Sequence, residues 1–545
     1  MGQKVSVDDK SPYQVSIPGQ GKLTGYTLLS QRTGNKSSHR FAKVPYGLPC
    51  SGNFRFRLPR PIPDDFDYTG DYKEFGLRCP QPLAPHQLPE DQLPSDENIN
   101  YLNIWVPSSN RYKPKEGWPV FIYIHGGLLQ YSDPNNQLLN TSELFDDEEF
   151  EQKFILVCPG YRLNIFGFLS CKELLEENPR SSNFGFWDQR LAIEWCYKYI
   201  KFFGGNPQRI TLGGLSAGAH STFFQLSYEL YHPEVTQIIK QVVFLSNMDY
   251  VQPKTIEDSQ EQFDEIIDAL GISKDLPSSH KLEALRDLDP SFIEKFIPTI
   301  KFHLFRAVTD GNFIYSHLIR DIEEGDYATK LKKKGVRMIC GEVENEALRY
   351  SLMNTPTTFE QLSTEVANLY PEDLIPVLFD LYDVRALDPN DPHFKTKLKI
   401  IYGAIVSDGQ VYASERGYLY KLVANGFPKE NIFRYRVAFR GKWLDKYVDP
   451  CVSVPHGCDL SIWFYSLREG YTEEERNYAN SWLIPYLRFL NFHKDLEDWK
   501  NDDITKFRLF KKDGSVAYTE DLNWKWGTKV ADVVYKIQSK QDQDQ

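Results

Sequence analysis

The stretch that most limits how this chain can fold is RITLGGLSAGAH, residues 209–220. The β-branched and apolar run 210–212 predicts a strand, and the segment 219–230 predicts a helix. Between them lies a G-x-S-x-G turn centred on Ser216. A strand that reverses this sharply into a helix strains the backbone of the central serine, so the positions two before and two after it must lack a Cβ atom. By itself, the pattern is also compatible with an ordinary glycine- and serine-rich loop.

The length of 545 residues alone would suggest about three domains. We expect a single one, because strands alternate with helices and no low-complexity linker interrupts them. The predicted organisation is an N-terminal extension over 1–20 and one domain over 21–540, with a loop-rich excursion at 48–100 and helical insertions at 251–330 and 355–425.

The formal net charge of −12 argues against a nucleic-acid partner, which would require a basic face. The chain contains no run of about 18 apolar residues that could span a membrane. Residues 1–14 lack the apolar core of a secretory signal, so we expect a cytoplasmic protein. The start MGQKVS matches the M-G-x-x-x-S pattern, which predicts N-myristoylation at Gly2 and a weak, reversible membrane association. Nothing in the sequence indicates the oligomeric state.

The eight cysteines show no close metal-ligand spacing. Cys451 and Cys458 flank a histidine, but two thiols and one imidazole lack the fourth ligand of a zinc site. We therefore expect free thiols in a reducing compartment and no metal.

Strand-like and helix-like segments alternate along the chain, which predicts an α/β fold with a mostly parallel sheet. Apolar residues at 187, 191, 195 and 199 predict a helix that ends before a glycine pair at 204 and 205. Strands are predicted at 24–44 as a hairpin, and at 101–106, 120–124, 154–157, 210–212, 241–245, 336–340 and 432–439.

In an open α/β sheet, reactive side chains lie just beyond the carboxyl ends of strands. Besides the serine, three strand ends carry such groups: His125-Gly126-Gly127-Leu128 after 120–124, GEVENE (341–346) after 336–340, and Pro455-His456 after 432–439. A serine, a carboxylate and a histidine thus follow strands in the order found in α/β-hydrolase triads. The glycine pair after His125 would let backbone amides turn towards a neighbouring oxygen.

These motifs resemble those of the type B carboxylesterases, the cholinesterase-like α/β-hydrolases. The resemblance covers most of the chain and implies an α/β-hydrolase fold, in which helices flank a large, mostly parallel central sheet. It also implies a serine esterase that uses no cofactor and acts on a small-molecule ester. The matching segments are 41–61 (FAKVPYGLPCSGNFRFRLPRP), 97–104 (ENINYLNI), 161–163 with 167–169, 183–189, 203–207, 341–346, and His456 with Asp459.

Residue by residue, the resemblance implies Ser216 as nucleophile, His456 as general base and acid, and Glu346 as the carboxylate that orients the histidine. Glu342 and Glu344 lie on the same loop and are rivals of Glu346 for this role, although either could be a solvated surface acid. The oxyanion hole would consist of the backbone amides of Gly127, Leu128 and Ala217. We expect structural or supporting roles for His125, His220, Ser246 and Asp459.

The chain departs from the family pattern beside the serine. Leu128 replaces a third glycine, so its side chain would narrow the pocket, and Leu215 replaces a glutamate. In secreted relatives, a disulfide joins the position of Cys79 to a second cysteine, but Ile99 occupies that second position here. No tryptophan lies between Cys79 and Ile99. Without that aromatic ring and that glutamate, a quaternary ammonium would have no binding partners, which argues against cholinesterase activity.

The sequence therefore favours hydrolysis of uncharged small or medium esters through an acyl-enzyme. Two alternatives remain at this point. One is a catalytically silent scaffold or adhesion protein on the same fold, since fold does not determine function. The other is a lipase, for which residues 80–95 could form a lid.

Overall fold

The computed structural model describes residues 11–84, 92–446, 448–466 and 471–544. Gly2, the predicted myristoylation site, lies outside the described residues. Residues 85–91, in the middle of the predicted lid, also lie outside them. The myristoylation and the lid therefore remain predictions. No helix in the described ranges is both long enough and apolar enough to cross a membrane.

The described chain forms one sheet of thirteen strands. The strands are β1 (Pro12–Ile17), β2 (Gly21–Leu29), β3 (Lys36–Pro45), β4 (Gly70–Asp71), β5 (Tyr101–Pro107), β6 (Trp118–Ile124), β7 (Ile155–Pro159), β8 (Gly205–Leu215), β9 (Gln241–Leu245), β10 (Arg337–Val343), β11 (Ile432–Val437), β12 (Lys506–Phe510) and β13 (Val516–Glu520).

The strands are ordered β1-β2-β3-β5-β7-β6-β8-β9-β10-β11-β12-β13, with β4 paired to β2. The seven strands from β7 to β12 in this order run parallel, whereas β1, β3, β5 and β13 pair antiparallel with their neighbours. Every residue of β5, β6, β7 and β9 is buried, as expected for strands covered on both faces.

Helices cover the sheet and fill the long connections between its strands. They are α1 (Ser142–Asp146), α2 (Asn164–Phe168), α3 (Lys172–Glu177), α4 (Phe184–Tyr199), α5 (Ala217–Tyr231), α6 (Ile256–Ala269), α7 (Ser278–Arg286), α8 (Pro290–Phe296), α9 (Leu318–Glu324), α10 (Asp326–Lys334), α11 (Glu346–Ser351), α12 (Phe359–Ala367), α13 (Ile375–Leu381), α14 (Phe394–Ser407), α15 (Ala413–Ala424), α16 (Leu460–Trp463), α17 (Glu473–Leu490) and α18 (Trp524–Asp544). A π-helical segment, Asp408–Tyr412, joins α14 to α15.

Most predicted elements coincide with observed ones, and the run 241–245 is β9 to the residue. The predicted segments 251–330 and 355–425 contain α6 to α9 with the start of α10, and α12 to α15. In the described parts of the predicted excursion, 48–84 and 92–100, the regular structure is β4, a 3-10 helix at Gly52–Phe54 and isolated bridges. Residues 12–17, assigned to the N-terminal extension, pair with β2 as β1. The edge hairpin β12–β13 and the helices α17 and α18 were not predicted.

The register of the central strands brings their carboxyl ends to one edge. Ile124 at the end of β6 pairs with Gly214 of β8, and Leu215 pairs with Leu245 at the end of β9. Leu245 in turn pairs with Gly341 of β10. Chain segments that follow these strands are therefore neighbours in space although they are far apart in sequence.

A buried network of charges anchors β10 and β11 to α15. Arg416 donates to both carboxylate oxygens of Glu342, at 2.7 and 3.1 Å, and to Asp521 at 2.9 Å. Arg434 donates to Asp521 and to Glu415, both at 2.8 Å. The expectation that Glu342 could be a solvated surface acid is wrong, because its side chain is buried and ion-paired with Arg416. Buried charges of this kind are tolerated only when their hydrogen bonds are satisfied.

The turn from β8 into α5 packs directly against the end of β6. A Cβ atom on Gly214 would lie 2.5 Å from the carbonyl oxygen of Ile124, and one on Gly218 would overlap the same oxygen. Ser216 between them has φ 58° and ψ −127°, a strained conformation for a residue with a side chain. The two glycines are thus required by a close approach between backbones.

We predict that Gly218→Ala lowers the free energy of unfolding by about 2 kcal/mol or more, because either β6 or α5 must move to relieve the overlap. Chemical denaturation followed by circular dichroism measures this. Gly70→Ala is the control, since a Cβ atom there would make only an ordinary 3.7 Å contact with Tyr72. Equal stability of the two variants would contradict the prediction.

Candidate active site

Ser216 occupies the tip of the turn at the carboxyl edge of the sheet. Its backbone N–H donates to the carbonyl of Leu245 at 2.8 Å, which ties the turn to the end of β9. Its carbonyl accepts from Ala219 and His220, as the first turn of α5 requires. The residue is 6% exposed, so a reagent can reach the hydroxyl only through a narrow opening.

Glu346 and His456 are in direct contact. Nδ1 of His456 lies 2.5 Å from Oε2 of Glu346, whose other carboxylate oxygen accepts the backbone N–H of Val343 at 2.8 Å. Glu346 is fully buried and His456 nearly so. The two loops are held together by a backbone hydrogen bond of 3.0 Å from Asn345 to Val454. A buried carboxylate on Nδ1 orients the ring and leaves Nε2 available for proton transfer.

The histidine loop lies against the serine turn. A Cβ atom on Gly457 would lie 3.6 Å from the side chain of Leu215, which precedes Ser216. Tyr350 lies beside the histidine, with 5.1 Å between its ring centroid and that of His456. No hydrogen bond joins Ser216 to His456 among the described contacts; such bonds are often long before a substrate binds.

The loop after β6 covers the other side of the serine. A Cβ atom on Gly126 would lie 3.1 Å from Cβ of Ser216. Gly127 has φ 110°, and Leu128 and Leu129 have φ 56° and 66°, so three successive residues adopt left-handed conformations. The backbone N–H groups of Gly127, Leu128 and Ala217 have no acceptor among the described residues.

The remaining histidines of this region make structural contacts. His125 stacks on Tyr161 with 4.4 Å between ring centroids, and its Nδ1 lies 2.9 Å from the Gly126 carbonyl. Burial lowers the pKa of His125. His220 contacts Asp249 through Nδ1 at 2.8 Å.

Three further acids and one serine lie close to the site. Asp459 is fully buried and accepts from Nε1 of Trp463 at 2.7 Å rather than contacting His456. Glu344 is half-buried and paired with Lys512 at 3.0 Å. Glu342 is held by Arg416, as described above. Ser246 ends β9 with φ 51° and is fully buried.

Sequence reasoning missed two tyrosines around Glu346. Tyr412 lies on the π-helical segment; its hydroxyl accepts the Glu346 N–H at 3.0 Å and donates to the Glu344 carbonyl at 3.1 Å. Tyr350 follows Glu346 by four residues on α11, a helical spacing that would have placed it above the same face. No sequence signal marks Tyr412, which is brought in by tertiary packing.

Comparisons with known proteins identify the family of this chain. The profile of the carboxylesterase family matches residues 11–529. The chain belongs to the carboxylesterase family. An uncharacterized esterase/lipase of Schizosaccharomyces pombe is 43% identical over 526 residues, which cover 96% of this chain and 97% of that protein. A carboxylic ester hydrolase of Gibberella moniliformis is 32% identical over 95% of this chain and 96% of its own. The para-nitrobenzyl esterase of Bacillus subtilis is 32% identical over 38% of this chain and 39% of its own.

This carboxylesterase has the α/β-hydrolase fold and acts as an esterase. Among its described residues, no group of three or more His, Cys, Asp or Glu side chains is arranged to hold a metal ion. The walls of the serine site include Leu128 and Leu215, each 8% exposed. Both side chains are apolar, so they contribute no charge beside the serine.

We predict a pH-dependent stability difference between this carboxylesterase and its Asp459→Asn variant. Burial raises the pKa of Asp459 to about 6, so the native carboxyl holds its proton more tightly than the unfolded one. The tighter proton binding of the native Asp459 carboxyl adds to the free energy of unfolding in full below about pH 4. This addition is lost as the pH rises to about 6. Over this range, the free energy of unfolding of the wild type should fall relative to the variant by about 3 kcal/mol.

Urea denaturation at pH values from about 4 to 7.5 measures this difference. The variant is a fair comparison because asparagine keeps an acceptor for Trp463. Two stability curves that run parallel across this range would contradict the prediction.

Proposed function

We propose that this protein hydrolyses carboxylic esters through an acyl-enzyme formed on Ser216, with His456 as general base and acid and Glu346 as its orienting carboxylate. The observation that carries the proposal is the 2.5 Å contact between Nδ1 of His456 and Glu346, made beside a serine at the tip of a strained turn. The substrate we propose is a small-molecule ester.

In the first half of the reaction, Nε2 of His456 takes the Ser216 proton as the oxygen attacks the ester carbonyl. The tetrahedral intermediate collapses when the imidazolium gives that proton to the leaving alcohol, and an ester bond to Ser216 remains. In the second half, water attacks this acyl group after giving a proton to His456. The bond from the acyl carbon to the serine oxygen then breaks, and the serine regains its proton. The acid product ionises in solvent.

The negative charge on the intermediate needs donors that are in place before it forms. The amides of Gly127, Leu128 and Ala217 meet this requirement, since none of them has another acceptor among the described residues. The loop is held rigid by Gln130, whose side-chain amide donates to the carbonyls of Leu128 and Phe305. Each donor of this kind stabilises a transition state by about 3 kcal/mol.

We further propose that the ester is small or medium in size and uncharged next to the reacting bond. Leu128 and Leu215 support this, because their apolar side chains leave limited room and no charged partner there. The scaffold alternative is less well supported, since the chain keeps a serine, a histidine and a carboxylate in triad order and His456 contacts Glu346. The lipase alternative depends on a lid at 80–95 whose central residues, 85–91, lie outside the described chain; its one support is the printed name of the Schizosaccharomyces pombe relative, esterase/lipase.

The test is covalent labelling by a fluorophosphonate probe, mapped by mass spectrometry. We expect the wild type to be labelled at Ser216 and Ser216→Ala to be unlabelled and inactive on p-nitrophenyl acetate. Ser246→Ala is the matched control, because Ser246 also follows a strand with a positive φ and should leave labelling at Ser216 intact. Unlabelled wild-type protein, or equal turnover by Ser216→Ala, would refute the proposal.

A second prediction concerns Glu346→Gln. The amide cannot stabilise the imidazolium and favours the wrong tautomer, so kcat/KM should fall about a thousandfold to ten-thousandfold. Glu344→Gln on the same loop should change it by less than about twofold, because the Glu344 carboxylate pairs with the exposed Lys512 and makes no described contact with His456. Steady-state kinetics on both variants measure this, and similar effects at the two positions would contradict the assigned role.

A further inference from the structure

The π-helical segment Asp408–Tyr412 lies between two regular helices, α14 and α15, which would otherwise be continuous. The N–H of Ala413 bonds to the carbonyl of Asp408, five residues back along the chain, whereas an α-helix bonds four residues back. One extra residue in a turn rotates every following side chain by about 100° around the helix axis. Insertions of this kind are frequent at functional sites, so the contacts of the segment are informative.

Two residues of the segment bond to loops that follow neighbouring strands of the sheet. The carbonyl of Gln410 accepts the N–H of Met248 at 3.1 Å, and its side-chain oxygen accepts Nδ2 of Asn247 at 3.2 Å. These two contacts are made to the loop after β9. Tyr412 contacts the turn after β10, which leads to Glu346. The segment is therefore fastened to two of the strand ends around the serine site.

The Tyr412 hydroxyl is enclosed by the turn that joins β10 to α11. It accepts the N–H of Glu346 at 3.0 Å and donates to the carbonyl of Glu344 at 3.1 Å, while the carbonyl of Val343 is 3.5 Å away. Glu346 is the first residue of α11, so its N–H has no acceptor within that helix. The phenol supplies this acceptor from a distant part of the chain.

The Tyr412 backbone is itself tied to the core. Its carbonyl accepts from Nη1 of Arg416 at 2.8 Å, and Arg416 is ion-paired with Glu342 on β10. Burial raises the pKa of Tyr412, as do the charges of Glu346 and Glu342, so the hydroxyl keeps its proton and can donate. The phenol thus joins a buried charge network to the backbone of the residue that carries the site's carboxylate.

We propose that Tyr412 is a positioning residue, which holds the Glu346 carboxylate against His456 through the backbone of the turn. The carboxylate itself bonds to Nδ1 of His456 at 2.5 Å and to the N–H of Val343 at 2.8 Å. The Val343 bond lies within the turn and moves with it, whereas the phenol ties the turn to α15. Reacting groups must be held within about 0.5 Å by such supporting contacts. This inference rests on the ester hydrolysis proposed above.

The test removes only the hydroxyl. In Tyr412→Phe, kcat/KM on p-nitrophenyl acetate should fall about tenfold to a hundredfold, because a small displacement of a catalytic group slows the reaction strongly. The acid limb of the kcat/KM profile should move about half a pH unit lower, because a displaced carboxylate stabilises the imidazolium less.

Tyr518→Phe is the matched control. The Tyr518 hydroxyl also donates to a backbone carbonyl at 3.1 Å, that of Asp503, but it lies on the edge strand β13, three strands along the sheet from β10. This variant should leave both the rate and the pH profile unchanged.

A purely structural role for Tyr412 would lower stability without moving the pH profile. Urea denaturation measures the stability of Tyr412→Phe, and the wild type is assayed in the urea concentration that removes the same free energy of unfolding. Its pH profile should not move. Tyr412→p-aminophenylalanine keeps a donor for the Glu344 carbonyl and should retain more activity than Tyr412→Phe. If the phenylalanine variant does not fold, this second variant carries the test, with a smaller shift in the same direction.

The hydrogen bond between His456 and Glu346 can also be observed without catalysis, through its low-field proton NMR signal. Loss of the signal in Glu346→Gln identifies it. The signal should shift in Tyr412→Phe and stay in place in Tyr518→Phe. The inference is overturned if both this signal and the pH profile of Tyr412→Phe coincide with those of the wild type.

The outcomes for the two proposals are separate. A wild type that neither hydrolyses esters nor is labelled at Ser216 would refute the proposed function, and the NMR signal would then decide the role of Tyr412. Normal hydrolysis by the wild type, with an unaltered pH profile and signal in Tyr412→Phe, would refute only the positioning role.

Discussion

The contact between the end of β6 and the turn after β8 governs the geometry of this protein. The carbonyl oxygen of Ile124 leaves no room for a Cβ atom at Gly214 or Gly218. Because the backbones meet so closely, Ser216 is held in a conformation that a free chain would avoid, and the loop that begins at His125 is held over it. The strain is sustained by the sheet, in which β6, β8 and β9 are parallel and buried. A rigid sheet can impose such a conformation, whereas an isolated loop would relax.

The sheet also determines how its charged groups are used. Glu342 and Glu346 are only four residues apart, yet one neutralises Arg416 within a structural network and the other holds His456. The strand β10 ends between them, so Glu342 lies on the strand, within the core, and Glu346 begins α11 at the edge. Two glutamates of one short motif therefore have different roles: Glu342 belongs to a buried ion-pair network, and Glu346 orients the His456 ring.

Much of the architecture was predictable from local sequence. Buried parallel strands carry continuous apolar runs, and for that reason 120–124 and 241–245 were recognised. The edge hairpin was missed because β12 alternates charged with apolar residues and β13 is only partly buried, so neither strand carries such a run. The α4 helix begins three residues before the predicted start, because Asn183 is held by Val308 and Asp310 from a distant loop. Such long-range contacts produce no hydrophobic periodicity in the sequence, so a local pattern cannot predict them.

The sequence by itself determined the order of the strands and helices, the position of the serine turn, and which histidine and glutamate were candidates for partners. It could do so because hydrophobic periodicity and glycine placement are local requirements. Only the tertiary structure decided that His456 contacts Glu346 rather than its neighbours, and that Tyr412 lies beside Glu346. These two contacts join residues 110 and 66 positions apart, a separation at which sheet register rather than local propensity controls distance.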